Sequence, residues 1–301
     1  MNIVEKRKIY FIFSGITIVL GVIAIILFGL KSSIDFTGGT KIEFRIQNPE
    51  SRIKNEDIKK EFEAQKILVH RIETISQDTF RIQTEPIDQK KKNAIISNLN
   101  KQGKVVEKSF ETIGPTIGRE TQTNALKAVL IASLAISIYV AFAFRTVSKP
   151  VSSWKYGVTT IITLLHDALI MVGLFAILGA IFNVEIDSLF ITALLTIMGF
   201  SVHDTIVVFD RIRENLRKNI DLKFPEVVNN SLMETLNRSL NTSITVLIVL
   251  FALFLFGGES IRWFVVALIA GITIGTYSSI FNAAQILVEW YEWDKKRKRA
   301  V

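Results

Sequence analysis

The sequence predicts a polytopic α-helical membrane protein with six transmembrane helices and one small α+β domain outside the membrane. Of its 301 residues, 49% are hydrophobic, and most of these fall into long uninterrupted runs. Six of the runs reach the length of about 20 residues that a helix needs to cross a bilayer. The stretch 41–120, by contrast, is polar and of mixed charge, so this part of the chain is expected to be water-soluble.

The sequences that flank and join the predicted transmembrane segments alternate between basic ones and ones with few or no cations. Lys6–Lys8 precede the first segment and Lys295–Arg299 end the chain, whereas the loop 182–187 has neither Lys nor Arg. Because cations collect on the cytoplasmic side, both termini are predicted to be cytoplasmic, which six crossings also require. The predicted segments are 9–30, 124–144, 156–181, 188–209, 240–258 and 263–290.

Five regions follow from this organisation. We predict a cytoplasmic N-tail (1–8), a first transmembrane helix (9–30), an extracytoplasmic domain (31–123), a five-helix transmembrane region (124–290) and a basic cytoplasmic C-tail (291–301). The first apolar run has about 22 residues and lacks a small-residue cleavage site, so we expect a retained anchor rather than a signal peptide. The net charge of +8 is explained by cations beside apolar segments rather than by nucleic-acid binding.

The extracytoplasmic domain has the pattern βαββαβ, which is the ferredoxin-like arrangement. Alternating apolar residues predict strands, and three- to four-residue spacing predicts helices. Asn55 is a candidate cap of the first helix, while Asp88 opens and Gly103 closes the second. The strands are predicted at 40–46, 68–75, 79–85 and 104–113, with a Ser-Gln-Asp turn at 76–78, and the helices at 55–65 and 88–103.

A short motif precedes this domain. Asp35 is followed after two residues by Gly38 and Gly39. Two consecutive glycines favour a sharp turn into the first strand, because glycine tolerates backbone angles that other residues avoid.

Asp204 lies inside an apolar run and is the residue most indicative of function. A carboxyl group in hydrocarbon costs about 2.5–3.5 kcal/mol on insertion scales and usually serves ion or proton transport. One interpretation is a group that takes up and releases a proton, with His203 able to titrate beside it. The alternative is a side chain that only holds helices together. Arg238 is predicted at a similar depth, where it either pairs with Asp204 or anchors its helix at the boundary.

A second polar pair, His166 and Asp167, interrupts the third segment. It predicts a secondary polar membrane site, either an interhelical hydrogen bond or, less in keeping with the pattern, the metal centre of an intramembrane hydrolase. No H-E-x-x-H motif supports a metal, and the absence of cysteine removes thiolate ligands. In the sixth segment, Gly271, Gly275 and Ser279 form a stripe of small residues that predicts close helix packing.

Six motifs resemble, in order and over nearly the whole chain, those of SecF members of the SecD/SecF family of protein-export membrane proteins, in the resistance-nodulation-division superfamily. They are DFTGGT (35–40), IGPTIGRE (113–120), HDALI (166–170), ALLTIMGFSVHDTIVVFDRIREN (193–215), NNSLMETLNRSLNTS (229–243) and GITIGTYSSIF (271–281).

The resemblance implies that the chain works with SecD in the bacterial inner membrane, beside the SecY-SecE-SecG channel. Proton flow through the SecD–SecF helices would drive outer domains that draw exported polypeptide outward, without covalent catalysis and without a cofactor beyond the coupling ion. Asp204 matches the family's proton-path Asp and Arg238 its essential Arg. His203 stands where the family often has Asn, which leaves open whether the ion is a proton or Na⁺.

Two further functions fit the same pattern. The chain could be a scaffold that assembles a translocon, with its polar membrane residues serving only as contacts. It could also export small molecules or lipids, although such exporters need a larger outer domain than the 31–123 segment provides.

Overall fold

The computed structural model describes residues 2–47, 55–76, 78–145, 150–218 and 221–299. Two compact units divide the chain, a helical unit of Met1–Lys31 and Lys127–Val301 and a second unit of Ser32–Leu126. The predicted extracytoplasmic domain, 31–123, covers nearly the same residues as the second unit. Gln77 of the predicted turn, Lys149 and the last two residues of the predicted C-tail lie outside the described residues.

One long helix precedes the strands of a single sheet, and further long helices follow them. In chain order they are α1 (Arg7–Phe28), α2 (Ile34–Thr37), β1 (Gly39–Ile46), α3 (Asn55–Ala64), β2 (Val69–Ser76), β3 (Thr79–Thr84), α4 (Gln89–Gln102), β4 (Val105–Ile113), α5 (Pro115–Ala143), α6 (Ser153–Phe182), α7 (Ser188–Lys218), α8 (Phe224–Phe256), a 3₁₀ turn (Glu259–Ile261), α9 (Arg262–Ser278), a π-helical segment (Ser279–Ala283) and α10 (Ala284–Arg299).

Six helices of the described chain are long and apolar enough to cross a membrane. They are α1, α5, α6, α7, α8 and the continuous run Glu259–Lys298 that contains α9 and α10. Several extend past the predicted segments: α7 reaches Lys218 rather than 209, and α8 begins at Phe224 rather than 240. The end of α7 and the start of α8 stay helical because they pack against each other through a buried face. Across this contact, Asn215 Nδ2 donates to Ser231 Oγ at 3.0 Å. Arg238 therefore lies well inside α8 and does not open it.

Small residues allow the long helices to approach closely. On α9, a Cβ on Gly275 would lie 2.9 Å from Ser201 Cβ of α7, and one on Gly271 would overlap the side chain of Ile197. On α6, a Cβ on Gly173 would collide with the backbone of Gly21 on α1. Such contacts hold membrane helices together mainly by van der Waals packing, since lipid supplies no hydrophobic driving force between them.

The two ends of the chain meet at one end of the helical unit. Ile3 is fully buried, and its backbone N–H donates to Asn229 Oδ1 at 2.8 Å. Arg7 forms ion pairs with Glu289 and Glu292 of α10. The termini therefore lie on the same side of the helices, and the assignment of that side to the cytoplasm remains a prediction.

The second unit is a four-stranded antiparallel sheet in the order β2-β3-β1-β4, with α3 and α4 contributing to its core. The predicted strands and helices agree with it to within one or two residues.

Asp88 caps α4 by accepting from Lys91 N at 2.8 Å, and Gly103 ends it, as predicted. Asn55 is the first residue of α3 rather than its cap, and its side-chain oxygen accepts from Thr74 Oγ1. The core residues include Ile42, Phe44, Ile58, Phe62, Ile82, Ile95 and Leu99.

The predicted glycine turn connects α2 to β1. Gly38 has φ 74° and Gly39 has φ 129°, both in the region that favours glycine. A Cβ on Gly38 would lie 2.7 Å from Pro115 Cα, and one on Gly39 would lie 2.7 Å from the Thr84 carbonyl oxygen. Ser33 caps α2 by accepting from Asp35 N. Both the backbone angle and the available space therefore require glycine at these two positions.

Gly39→Ala is expected to destabilise the second unit by about 1–3 kcal/mol, because it combines an unfavourable φ with a steric overlap at the start of β1. Amide hydrogen exchange of the β1 and β3 backbone in the full chain measures this free energy. Gly114→Ala is the matched control, since a Cβ there meets nothing within 4 Å. Equal exchange rates in the two variants would contradict the prediction.

Asp78 makes the sheet sensitive to acid. Hydrogen bonding from Ser76 Oγ at 2.8 Å and the neighbouring Arg45 guanidinium hold the pKa of the Asp78 carboxyl below its ordinary value. The ionised carboxylate therefore stabilises the fold above the unfolded-state pKa, and this contribution is lost as the pH falls through the folded-state pKa. Because the pair is exposed, the effect is expected to be small.

Asp78→Asn should therefore lower the free energy of unfolding at neutral pH, with the difference from the native chain vanishing in acid. Amide hydrogen-exchange protection of the second unit, measured at several pH values, reports this difference. A difference that is independent of pH would show that the side-chain contacts, rather than the charge, stabilise the turn.

Candidate functional site

Asp204 is buried within α7, where it is 2% exposed. Its carboxyl oxygen Oδ2 has no hydrogen-bond partner among the described residues. Across the α7–α8 contact it lies beside Ser239, whose hydroxyl is also buried and makes no fully formed hydrogen bond. A buried carboxyl oxygen without a donor is unfavourable when charged, so this position is suited to a group that binds a proton.

Arg238 and His203 flank this carboxyl from the exposed surface of the helical unit. Both side chains lie near the Asp204 carboxyl, although no ion pair joins Arg238 to Asp204 in the described parts of the chain. The predicted proximity of Asp204 and Arg238 is therefore seen, whereas direct pairing is not. His203 points outward, because neighbouring helical residues face about 100° apart. An unpaired cation near a buried carboxyl leaves that carboxyl free to exchange a proton.

Asp167 is the more completely hydrogen-bonded of the two membrane carboxyls. It is 1% exposed on α6. Its Oδ2 accepts from Ser201 Oγ of α7 at 2.7 Å and from Ser278 Oγ of α9 at 2.9 Å. Its Oδ1 lies 2.9 Å from Nδ1 of the adjacent His166. Three helices thus meet at this one carboxylate.

The His166 ring extends the network toward α1. Its Nε2 lies 3.1 Å from Nδ2 of Asn282, which also donates to Ser14 Oγ at 2.8 Å. Ser14 Oγ lies 3.2 Å from the Tyr277 hydroxyl, which donates to the Tyr10 carbonyl oxygen. The predicted secondary site is therefore the centre of a buried polar network that joins α1, α6, α7 and α9 with the π-helical segment.

A chain of hydroxyls leads from this network to the turn that carries Asp204. Thr205 Oγ1, next to Asp204 in α7, donates to Ser279 Oγ at 3.0 Å. Ser279 Oγ in turn donates to the carbonyl oxygen of Ser201 at 2.8 Å. Since the Ser201 hydroxyl donates to Asp167, these contacts extend from the Asp167 carboxyl to Thr205, the residue that follows Asp204.

The stripe of small residues in the sixth segment has two parts with different surroundings. Gly271 and Gly275 lie at the contact with α7, whereas Ser279 begins the π-helical segment and takes part in the hydroxyl chain. π-Helical turns are rare and occur frequently at functional sites. The wider turn presents Ser278, Ser279 and Asn282 to the same buried network.

Sequence reasoning missed the partners of Asp167. Ser14, Ser201 and Ser278 gave no signal, because single serines are common in membrane helices, where their hydroxyls can bond to the preceding turn. Asn282 offered a weak one, as one of two amides, with Gln285, in an otherwise apolar stretch, 280–288. Only the contact between helices that are distant in the chain shows that these side chains converge.

The remaining predicted site residues lie elsewhere. Asp35, Gly38 and Gly39 belong to the second unit, in the turn already described. In the residues that the structure describes, no group of three or more His, Cys, Asp or Glu side chains is arranged to hold a metal ion. The metal-centre alternative for His166 and Asp167 thus gains no support from the geometry.

Comparisons with known proteins give a consistent result. The family described as "Protein export membrane protein SecD/SecF, C-terminal" matches residues 91–293. The chain is 45% identical to the protein translocase subunit SecF of Thermobaculum terrenum, over 98% of this chain and 95% of that protein. It is 35% identical to the protein translocase subunit SecDF of Bacillus subtilis, covering 98% of this chain and 39% of that longer protein.

Solved structures agree with the sequence comparisons. The crystal structure of SecDF, a translocon-associated membrane protein from Thermus thermophilus, superposes with a TM-score of 0.82 at 32% identity, over 97% of this chain and 39% of that chain. A structure of SecDF in a super-membrane-facing form gives a TM-score of 0.70 at 31% identity, over 100% of this chain and 40% of the other. The chain belongs to the SecD/SecF family of protein-export membrane proteins and corresponds to its SecF members.

Proposed function

We propose that this chain is the SecF subunit of a SecD–SecF complex that uses the proton-motive force to promote polypeptide translocation by the Sec translocase. The observation that carries the proposal is Asp204, a buried carboxyl inside a membrane helix with one oxygen lacking a partner. Asp204 binds and releases the coupling proton, and Arg238 favours its ionised state by charge without forming a contact pair.

The energy available is sufficient for such a role. A proton crossing 100 mV releases about 2.3 kcal/mol, which shifts a two-state equilibrium by nearly fiftyfold. A shift from 1:99 to 99:1 needs about 5.5 kcal/mol, so one stroke uses more than one proton or draws on a pH gradient. The coupling ion is therefore proposed to be H⁺, with Na⁺ as the alternative that ion-substitution experiments exclude or support.

SecD is proposed as the partner that completes the site. In the fused relatives named SecDF, the region similar to this chain makes up about two fifths of the protein. The exposed side chains of His203 and Arg238 beside a buried carboxyl leave one face of the helical unit for a second set of helices. The SecY-SecE-SecG channel and the exported polypeptide are the further partners that the family supports.

The second unit is proposed to be the ferredoxin-like domain on the outer face of the inner membrane. Its element order βαββαβ and strand order β2-β3-β1-β4 support this assignment. Both chain ends, which meet through Arg7 and α10, then lie in the cytoplasm, in keeping with the basic residues 295–299.

Asp204→Asn is expected to reduce export to the rate measured without a proton-motive force, because the amide cannot take up a proton. The measurement is translocation of a secreted polypeptide into membrane vesicles containing this chain and SecD, with and without a membrane potential. Asp210→Asn is the matched control, since Asp210 lies on the same helix but is exposed and paired with Arg213. Retained potential-dependent export with recovered complex would refute the proton role.

The same assay separates coupling from a scaffold function. If Asp204→Asn instead lowers the recovery of the complex with SecD while the surviving complex stays coupled, the scaffold interpretation is correct.

Arg238→Gln should also remove the potential-dependent part of export, and Arg238→Lys should restore a measurable fraction of it. The reason is that Arg238 lies near Asp204 without the fork-shaped contact that only Arg can supply, so a positive charge at this position is proposed to suffice. Equal loss in both variants would show that guanidinium geometry, rather than charge, is required.

A further inference from the structure

The His166–Asp167 network contains a buried ionisable pair that the proposed role of Asp204 does not use. Two cations of the helices packed around it are engaged elsewhere, because Lys155 of α6 pairs with Asp294, and Arg7 of α1 pairs with Glu289 and Glu292. In the described residues, the basic side chain within 4.0 Å of the Asp167 carboxyl is that of His166. The charge state of this pair is therefore set locally.

Few described groups face the pair. Asp167 accepts from Ser201 of α7 and Ser278 of α9, and His166 contacts Asn282 of the π-helical segment. Asn282 in turn contacts Ser14 of α1, which lies beside the Tyr277 phenol. On α10, Gln285 is buried, and the carboxylates beyond it are those already paired with Arg7 and Lys155. Asp204 follows Ser201 by about one helical turn of α7 and lies beside Ser239 of α8.

The hydrogen bonds specify one protonation state of the pair. Because Asn282 Nδ2 can only donate, His166 Nε2 accepts and carries no proton. His166 Nδ1 then carries the ring proton and donates to Asp167, which as a carboxylate accepts three hydrogen bonds. With a neutral His166 and an ionised Asp167, the pair carries one net negative charge in the interior of the helical unit.

Uptake of a proton at Nε2 would reverse the requirement on Asn282. An imidazolium ring donates from both nitrogens, so Asn282 must then present its Oδ1 rather than its Nδ2. Ser14 permits both orientations, because its Oγ lies 3.2 Å from Asn282 Oδ1 and 2.8 Å from Nδ2, and a hydroxyl can donate or accept.

We propose that the His166–Asp167 pair is a second proton-binding site of this chain, and that the Asn282 carboxamide turns over when the pair is protonated. A proton from water forms the Nε2–H bond of His166. The Nδ2–H···Nε2 hydrogen bond is replaced by Nε2–H···Oδ1, and the net charge of the pair changes from −1 to 0. Since Asn282 belongs to the π-helical segment and contacts α1 through Ser14, protonation alters the contacts of two further helices.

The test is ¹⁵N NMR of the histidine rings in the full chain reconstituted in lipid nanodiscs. The chain has three histidines, and His70 and His203 are exposed, so replacing both with Gln leaves His166 as the sole signal. On acidification, the ring should change from the neutral Nδ1–H tautomer to imidazolium, and the Asn282 side-chain amide signals should shift with the same midpoint. A ring that stays neutral wherever the chain is folded overturns the proposal.

Two substitutions at Asn282 have opposite expected effects. Asn282→Asp supplies only an acceptor when ionised and should move the ring midpoint to higher pH by about one unit or more, a tenfold change in proton affinity. Asn282→Leu removes that acceptor and should move it to lower pH. Gln285→Met is the matched control, because Gln285 is also buried nearby in the chain, but its amide has no hydrogen-bond partner among the described residues. Unchanged midpoints in both Asn282 variants overturn the role of the carboxamide.

Proton binding at His166 and proton coupling at Asp204 can be tested separately. With Asp204→Asn, the His166 ring should still titrate, since its donors and acceptors are intact. If export loses its potential dependence while this titration persists, both proposals hold. If His166 fails to titrate in the native chain while Asp204→Asn uncouples export, only the second proton site is refuted.

Discussion

A carboxyl group surrounded by apolar helices must either receive hydrogen bonds or lose its charge, and the helical unit uses both solutions. Asp167 accepts from two hydroxyls and a histidine ring. Asp204 leaves one oxygen without a donor. Because an unsatisfied buried carboxylate costs more than a satisfied one, the two positions differ in how readily they hold a charge. Asp167 is therefore the centre of the helix contacts, and Asp204 is the carboxyl on which the proposed proton coupling rests.

The glycine and serine positions follow from the same constraint. Hydroxyls can reach a buried carboxylate only where backbones approach closely, and Gly275 of α9 permits this approach to Ser201 of α7. The π-helical segment then turns Ser279 and Asn282 toward the network, next to Ser278 at the end of α9, without ending the helix. Packing and polar satisfaction therefore depend on each other, and a larger side chain at the glycine would separate the donors from their acceptor.

Much of the fold could be predicted from the sequence because its signals are local. The apolar runs located the long helices, and the alternation of residues such as Ile42 and Phe44 located the strands. Asp88 and Gly103 marked the ends of α4. The apolar segments did not locate the ends of the long helices: α8 begins at Phe224 because its polar first turns stay helical by packing against α7 and by the Asn215–Ser231 hydrogen bond.

The sequence by itself determined that the chain has six segments able to cross a membrane, which family it resembles, and that Asp204 and Arg238 are the candidate functional residues. Single residues and short motifs carry that information, since a charge within an apolar run is visible without knowing its neighbours. Only the tertiary structure decided that Arg238 lies near Asp204 without pairing to it, and that His166, Asp167 and Asn282 form one network with Ser14. Those relations join helices far apart in the chain, where no local pattern records which faces meet.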